Sequence, residues 1–207
     1  MRDGAETRRR LERAALKLFV AKGVAATTVR EVAAAADIAE GTLYRHYVSK
    51  EELAWELFHR HYRGLALELD RLQAGVATLP DKLEIMIRHF CKFFDQDPLL
   101  FSYLLLSQHG HLQRVTSETP NPVDVVVRVM EEGLARNEVQ GLTPEVAAAL
   151  VMGLVLQVAV FRIYGRLTEE LSPLADTLVK AAWRLVAPGP AGTAGSSPGT
   201  SIFSAKT

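Results

Sequence analysis

Residues 28–50 constrain the fold most, because two short amphipathic segments meet there at a tight turn. Thr28 and Glu31 have the spacing of a capping box, which predicts that a helix begins at this point. One face of that helix is apolar and is formed by Val32, Ala33 and Ala36. Helical spacing of this kind buries a face, so the segment reads as the first helix of a helix-turn-helix.

A second short helix, over about residues 39–45, is predicted after a turn at Asp37. Asp tolerates the left-handed backbone conformation that such a turn often needs. Ile38 and Leu43 are the apolar residues that hold this helix against the first. Its outer face carries Glu40, Gly41, Thr42, Tyr44 and Arg45. Small residues permit close approach to base edges, and hydroxyl and guanidinium groups can reach bases or phosphates, so this face is suited to DNA.

A third helix is predicted to begin at Ser49 and to continue toward Gly75, since Ser49 and Glu52 repeat the capping-box spacing. Lys50 then lies in the first turn of the helix. Its ammonium and the unpaired backbone N–H groups of that turn could face the same phosphate.

From Thr7 through Leu53 the sequence resembles the tetracycline-repressor (TetR) family of bacterial transcription regulators. The resemblance rests on one linear pattern: Thr7-Arg8, Ala14-Ala15, Leu18-Phe19, Gly23, Thr27-Thr28-Val29, Val32-Ala33, Gly41-Thr42-Leu43-Tyr44, His46-Tyr47 and Ser49-Lys50-Glu51-Glu52-Leu53. It implies that bases lie near Arg30, Gly41, Thr42 and Arg45, and phosphates near Thr28, Tyr44, His46, Tyr47 and Lys50. The turn departs from the family pattern, since Ala36-Asp37 stands where Ala-Gly is usual.

Composition is that of an ordinary globular protein, with 207 residues of which 48% are hydrophobic. The whole chain has no net charge, but residues 1–50 hold 10 basic and 6 acidic residues. This positive balance at the end with the motif fits a DNA-binding domain. The single Cys91 excludes an intrachain disulfide and, with an N-terminus that lacks an apolar signal core, indicates a cytoplasmic protein.

Apolar residues recur at helical spacing along the rest of the chain, which predicts an all-α fold. We expect an N-terminal three-helix helix-turn-helix domain over residues 1–48, an effector-binding and dimerisation domain over 49–187, and a disordered tail over 188–207. Asp81 with Glu84 is predicted to open one helix of the second domain. Three later helices are predicted to start at an N-cap residue followed by proline: Asn121-Pro122, Thr143-Pro144 and Ser172-Pro173.

The longest apolar stretch, Val146 to Phe161, is too short for a comfortable membrane span and contains Gln157, so we predict a buried helix and no membrane association. The last two helices, about 144–165 and 173–187, carry small residues and leucines that favour close packing. In the TetR family the final two helices form a four-helix bundle with their copies. The resemblance therefore implies a homodimer.

Large flexible or aromatic side chains of the second domain could line a ligand pocket or belong to a solid core. They are Met86, Phe90, Phe94, Tyr103, Met130, Met152, Gln157 and Phe161. An effector for such a pocket would be lipophilic rather than highly charged. The histidines and the cysteine lack the spacing of a metal site, so we expect neither a metal nor a cofactor.

These patterns predict a ligand-responsive DNA-binding regulator, most simply a repressor that a small lipophilic effector releases from a pseudo-palindromic operator. Two alternatives stay open. One is an effector-free DNA-binding factor of the same fold with a nucleoid or division role. The other is an all-α enzyme with an incidental helix-turn-helix, for which the sequence offers no convergent acid–base residues.

Overall fold

A computed structural model of the protein describes residues 2–116 and 118–188, and within these ranges it contains nine α-helices and no strand. The helices are α1 (Arg2–Lys22), α2 (Val29–Ala35), α3 (Glu40–His46), α4 (Lys50–Gln73), α5 (Leu79–Gln96), α6 (Pro98–His111), α7 (Pro122–Ala135), α8 (Pro144–Ile163) and α9 (Ala175–Val186). The predicted all-α class is confirmed. The tail predicted over 188–207 lies, apart from Pro188, outside the described residues.

Two hydrophobic cores share the long helix α4. The first core joins α1, α2, α3 and the first half of α4, with Leu11, Leu43 and Phe58 fully buried. It also takes in Tyr103 from α6, which is fully buried. The second core joins the end of α4 to α5, α7, α8 and α9. Both α4 and α6 therefore connect the N-terminal helices to the rest of the molecule.

The local predictions around the first turns are confirmed. Thr28 and Glu31 form both halves of a capping box, with the Thr28 amide donating to the Glu31 carboxylate at 2.8 Å and the Glu31 amide donating to Thr28 Oγ1 at 3.2 Å. Asp37 has a φ of 53°, the left-handed conformation that the turn requires. Gly23, with a φ of 81°, follows the end of α1.

Two helix starts differ from the sequence-based prediction. The helix α3 begins at Glu40, one residue later than expected, because Ala39 has extended backbone and no side-chain cap. The helix α5 begins at Leu79 rather than at Asp81. Its N-cap is Thr78, whose hydroxyl accepts a hydrogen bond from the Asp81 amide at 3.3 Å, so Asp81 lies inside the helix that it was expected to open.

Two of the three predicted proline-led starts are confirmed, at Asn121-Pro122 and Thr143-Pro144. The third is wrong in detail, because Ser172 begins a short 3₁₀ turn and α9 starts only at Ala175. Asp95 of α5 holds this turn in place. Its carboxylate accepts hydrogen bonds from the Ser172 amide at 2.8 Å and from the Ser172 hydroxyl at 2.5 Å.

Candidate nucleic-acid interface and ligand cavity

The outer face of α3 is open to solvent. Glu40, Gly41 and Arg45 are exposed, and Tyr44 is 56% exposed although it is aromatic. Among the described residues, neither Tyr44 nor Arg45 has a side-chain hydrogen-bond or ion-pair partner within the chain, and the same holds for the exposed Arg30 of α2. These groups are available for contacts outside the protein.

Arg10 holds the turn between α2 and α3 from the inner side. Its Nη2 atom donates to the carbonyl oxygen of Ala36 at 2.6 Å and to that of Asp37 at 3.2 Å. Carbonyls at the end of a helix lack intrahelical partners, and a guanidinium satisfies them well. Arg10 therefore fixes the angle at which α3 leaves α2.

Lys50 holds the loop between α1 and α2 in a similar way. Its Nζ atom donates to the carbonyl oxygens of Val24, Ala25 and Thr27 at 2.9, 3.0 and 2.6 Å. An ammonium has three donors, so all of them are engaged. The structure therefore gives Lys50 an internal role, and a phosphate contact, which stays a prediction, would have to share one of these donors.

Tyr47 follows α3 and is also held inside the protein, only 3% exposed. Its hydroxyl donates to Glu12 Oε1 at 2.6 Å, and Arg60 of α4 donates to both oxygens of the same carboxylate at 3.1 and 2.6 Å. Burial and the hydrogen bond to Glu12 raise the pKa of Tyr47. Glu12 thus joins α1, α3 and α4, and the predicted phosphate contact of Tyr47 competes with this network.

The other predicted DNA contacts belong to α3 or, in the case of Thr28, cap the start of α2. Thr42 and His46 are half-buried on α3, and Gly41 has no atom within 4 Å of the position where a Cβ would lie. The exposed Thr28 keeps its hydroxyl on the Glu31 carboxylate. The hydrogen bonds from Lys22 and Thr28 lower the pKa of Glu31 to about 2.

An apolar cavity of about 130 Å³ lies among α4, α5, α6, α7 and α8. Its lining is aliphatic, thioether and aromatic, and the Tyr62 hydroxyl is the single O–H or N–H group that lining side chains bring to it in the described part of the chain. Ligand pockets for drug-sized molecules are commonly about 300–1,000 Å³. This cavity therefore admits a small molecule, or a larger one if flexible side chains move.

Three of the eight predicted ligand contacts line this cavity, namely Met86, Phe90 and Met152. The structure does not bring the other five to it. Phe94 and Met130 are buried in the second core, and Tyr103 is buried in the first. Gln157 and Phe161 lie on the outer side of α8, where Phe161 is 51% exposed.

Sequence reasoning missed the cavity walls contributed by α4, α6 and α7. Their lining residues are Tyr62, Leu65, Leu69, Phe101, Leu104, Leu105, Pro122, Val123 and Val126. All occur at helical spacing, which also describes an ordinary core residue. Cavity-lining residues are distinguished from core residues only by how α4 and α6 cross in three dimensions.

The outer face of α8 carries an apolar stripe without cover. Val146, Leu150 and Phe161 are exposed by 46%, 42% and 51%, and Gly153 and Gln157 lie between them on the same face. The helix is also long and apolar enough to meet a length-and-composition criterion for a membrane span, a criterion that core helices of other proteins also meet. The predicted burial of this helix is thus only partial within one chain.

Known proteins resemble this chain most clearly in the helix-turn-helix segment. Residues 12–57 match the family model of bacterial regulatory proteins of the tetR family. Over 95 residues the chain is 32% identical to the HTH-type transcriptional repressor KstR of Mycolicibacterium smegmatis, a match that covers 46% of this chain and 47% of that protein. The matched segment therefore spans about half the length of that relative.

Solved structures extend the similarity to the whole fold. A bacterial regulatory protein in the tetR family from Rhodococcus RHA1 superposes with a TM-score of 0.70 at 20% identity, covering 89% of this chain and 98% of that one. The regulator FadR from Bacillus subtilis, in complex with stearoyl-CoA, superposes with a TM-score of 0.66 at 18% identity, covering 84% and 96%. The helix-turn-helix segment of the chain is thus similar to that of tetR-family bacterial regulatory proteins, and the chain shares the overall fold of solved structures described as members of that family.

Proposed function

We propose that the chain is a homodimeric transcription regulator, not an enzyme, which acts in the cytoplasm and represses until a lipophilic effector releases it from a pseudo-palindromic operator. The observation that carries this proposal is the outer face of α3. Tyr44 and Arg45 are exposed there without partners in the chain, on a helix whose orientation Arg10 fixes from within. A rigid helix that presents such groups suits major-groove recognition.

Contacts to DNA divide into two kinds under this proposal. The residues that would read bases are Arg30, Gly41, Thr42 and Arg45. The residues that would hold phosphates are Thr28, Tyr44 and His46. Tyr47 and Lys50 would reach a phosphate only by sharing the hydrogen bonds that they make inside the protein. Phosphate contacts position the protein, whereas base contacts specify the sequence. The domain that makes them would span residues 1–48, and residues 49–187 would bind the effector and the second subunit.

A second copy of the chain would cover the apolar stripe of α8. Val146, Leu150 and Phe161 stand on one side of the helix, and Leu185 of α9 is 42% exposed as well. A contiguous apolar patch of this kind indicates an interaction surface. Pairing through α8 and α9 would give the two-fold symmetry that places two recognition helices in successive major grooves, about 34–36 Å apart.

Two helices would transmit effector binding to the DNA-binding helices. The helix α6 lines the cavity with Phe101 and Leu105, while its Tyr103 hydroxyl donates to the Ala54 carbonyl oxygen at 2.6 Å in the first core. The helix α4 lines the cavity with Leu65 and enters the first core with Phe58. A molecule that separates α4 from α6 would therefore change the angle between the two recognition helices of the dimer.

The far end of α4 is held to α5 and α7 by a buried lysine. Lys82 of α5 is buried, and its ammonium donates to Gln73 Oε1 at 3.1 Å and to Glu132 Oε2 at 2.5 Å. A buried charge held by two partners resists displacement. Movement caused by an effector would then appear toward the DNA-binding end of α4 rather than at Gln73.

The test is to map the DNA that the full-length protein binds near its own gene, and then to measure operator affinity of the wild type, Arg45→Ala and Arg63→Ala. Arg63 is exposed on α4 and serves as the matched control. We expect Arg45→Ala to lose operator affinity and sequence preference while Arg63→Ala keeps both. Equal behaviour of the two variants would contradict the assignment of α3 as the reading helix.

The small volume of the cavity favours one rival, an effector-free DNA-binding factor of the same fold. A screen of lipophilic molecules for release from the operator separates the two. Release by any of them that Met86→Trp or Met152→Trp abolishes supports the effector-responsive regulator. Operator affinity that stays constant across the screen supports the rival.

A further inference from the structure

The cavity among α4 to α8 has no charged side chain in its lining. An ionised carboxylate or ammonium placed there would lose its hydration without gaining a partner, at a large cost in free energy. The enclosed part of a ligand is therefore uncharged. This inference rests on the proposed function, because it names the class of molecule that the effector cavity receives.

Tyr62 is the polar exception among the lining side chains. It is only 7% exposed, and its ring stacks on Phe58 with the centroids 4.9 Å apart. Its hydroxyl donates to Asn121 Oδ1 at 2.9 Å. Because the next two residues after Asn121, Pro122 and Val123, both line the cavity, this hydroxyl lies where α4 and α7 form the cavity wall.

The Tyr62 hydroxyl can still accept a hydrogen bond from a ligand. Asn121 Oδ1 already accepts from the Val123 amide at 2.9 Å, which caps α7, and from the Tyr62 hydroxyl. The single proton of Tyr62 is thus committed to Asn121, and the Tyr62 oxygen keeps an acceptor position. Burial and the nearby Asp124 raise the pKa of Tyr62 to about 12, so the group stays a neutral phenol. At the Tyr62 oxygen, a ligand that donates a hydrogen bond is therefore favoured over one that only accepts.

We propose that this cavity binds an uncharged lipophilic alcohol, whose hydroxyl donates a hydrogen bond to Tyr62 Oη while its hydrocarbon part fills the apolar space. The hydrocarbon part packs against Met86 and Met152, which are flexible enough to enlarge the cavity around it. A ketone of the same size has no proton to donate, and it would have to draw the Tyr62 proton away from Asn121.

Direct binding of four eight-carbon probes to the full-length protein tests this order: 1-octanol, 2-octanone, octanoate and octylammonium, each measured by titration calorimetry at neutral pH. We expect the alcohol to bind most tightly, the ketone more weakly, and the two ions not at all below their solubility limits. Octanoate binding as tight as that of octanol would overturn the proposal.

Tyr62→Phe removes the hydroxyl and keeps the ring, and Tyr164→Phe, at a tyrosine that is 65% exposed outside the cavity, is the matched control. We expect Tyr62→Phe to weaken octanol binding by about threefold to tenfold, the value of one hydrogen bond, and to leave 2-octanone binding unchanged. Far-ultraviolet circular dichroism and the unfolding midpoint of each variant establish that it is folded. An octanol affinity that the Tyr62→Phe substitution leaves unchanged would also overturn the proposal.

Failure of this inference is distinguishable from failure of the proposed function, because operator binding is measured without any probe. A protein that binds its operator and none of the four probes keeps its role as a DNA-binding regulator and loses the alcohol-binding cavity. A protein that binds octanol with the expected Tyr62 dependence but binds no DNA near its gene keeps the cavity and loses the regulatory role.

Discussion

The helix-turn-helix region, residues 2–50, and the C-terminal region, α5 to α9, differ in which groups hold them together and which surface they leave uncovered. In the first, Arg10 and Lys50 bind backbone carbonyls at the two connections that flank α2. In the second, α8 leaves Leu150 and Phe161 exposed, and a cavity remains between the helices. The first region holds its connections with cations bound to backbone carbonyls, whereas the second keeps an apolar stripe and a cavity uncovered.

This difference corresponds to what each region has to do under the proposed function. A recognition helix must hold its side chains in a fixed geometry. Cations bound to backbone carbonyls at the neighbouring connections help to fix that geometry. A surface that binds a second subunit or a small molecule needs apolar area that one chain cannot cover. The largest predicted effects therefore come from the uncovered surface, and the smallest from single members of the polar network.

The first prediction concerns the apolar stripe of α8. Leu150→Asp places a carboxylate where a second subunit would cover it, so we expect dimer affinity to fall by about 3–5 kcal/mol, the cost of an uncompensated buried charge. Leu67→Asp is the matched control, since Leu67 is 44% exposed on α4 and Leu150 is 42% exposed. Sedimentation should show a folded monomer for Leu150→Asp only. A wild-type protein that is monomeric at micromolar concentration would refute the dimer.

The choice of Leu150 follows from the structure and differs from what the sequence favours. The sequence places Ala148 and Leu178 at the interface or in the core beside it, and the structure buries both, at 1% and 6% exposed within the single chain. An aspartate at either position would unfold the monomer and would report nothing about the dimer.

The second prediction concerns Lys50. Its replacement by Ala leaves the carbonyl groups of Val24, Ala25 and Thr27 without their charged donor, and we expect the free energy of unfolding to fall by about 2 kcal/mol. Lys17→Ala is the control, because Lys17 is exposed on α1. Denaturant titration measures both. An unfolding free energy that matches the wild type would mean that these bonds add no stability.

The same variant tests whether Lys50 also contacts phosphate. Removal of one phosphate contact lowers the slope of log affinity against log salt by about one. An unchanged slope together with a reduced stability would assign Lys50 to the interior alone. A reduced slope would show that the ammonium shares its donors with DNA.

Much of the helix-turn-helix region could be predicted from sequence because its determinants are local. The capping box at Thr28 and Glu31 spans four residues, and the left-handed turn depends on Asp37 itself. The partners of Arg10 and Lys50 could not be predicted, since each bond joins residues more than 20 positions apart. Basic residues in a DNA-binding segment suggest phosphate contacts, and nothing local distinguishes a cation that faces inward.

In the C-terminal region, the helices could be predicted from the sequence more readily than the residues that line the cavity. Proline-led starts at Pro122 and Pro144 depend on adjacent residues, and both are confirmed. Cavity walls depend instead on which faces of α4 and α6 meet. The sequence therefore does not indicate Tyr62 as a cavity-lining residue, and it favours Gln157, which the structure leaves exposed. A polar residue in an apolar helix is equally consistent with a ligand contact and with a solvent-exposed outer face.

The third prediction concerns Thr42, which is half-buried on α3, the helix proposed to read bases. Thr42→Ala should lose a base contact worth about 1–3 kcal/mol at particular operator positions and leave the salt dependence unchanged. Thr168→Ala, at an exposed threonine after α8, is the control. Selection of binding sites from a random pool measures the preference at each position. Identical preferences for Thr42→Ala and the wild type would remove Thr42 from the base-reading set.

The fourth prediction concerns the pH dependence of stability through Glu12, and its effect should be the smallest. Burial acts to raise the pKa of Glu12, but the hydrogen bonds from Arg60, Tyr47 and Arg8 outweigh it, so the pKa lies below its ordinary value of 4.5. A carboxyl group whose pKa is lower in the folded state adds stability above the unfolded value, and this stability is lost as the pH falls through the folded value. Glu12→Gln should therefore unfold more easily than the wild type at neutral pH, by about 1 kcal/mol since the arginine partners are half-exposed and solvent screens them.

Unfolding midpoints measured from neutral pH downward test the sign of this effect. The difference between Glu12→Gln and the wild type should be constant above the ordinary pKa and should shrink below it, because the wild-type carboxylate becomes protonated and then resembles the amide. Glu169→Gln, at an exposed glutamate before α9, should follow the wild type throughout. A difference that persists unchanged in acid would mean that Glu12 acts through its shape and hydrogen bonds rather than its charge. Such a result would mean that the network joining α1, α3 and α4 stabilises the fold by packing, as the apolar cores do. It would then differ from Arg10 and Lys50, which act as cations at the two connections.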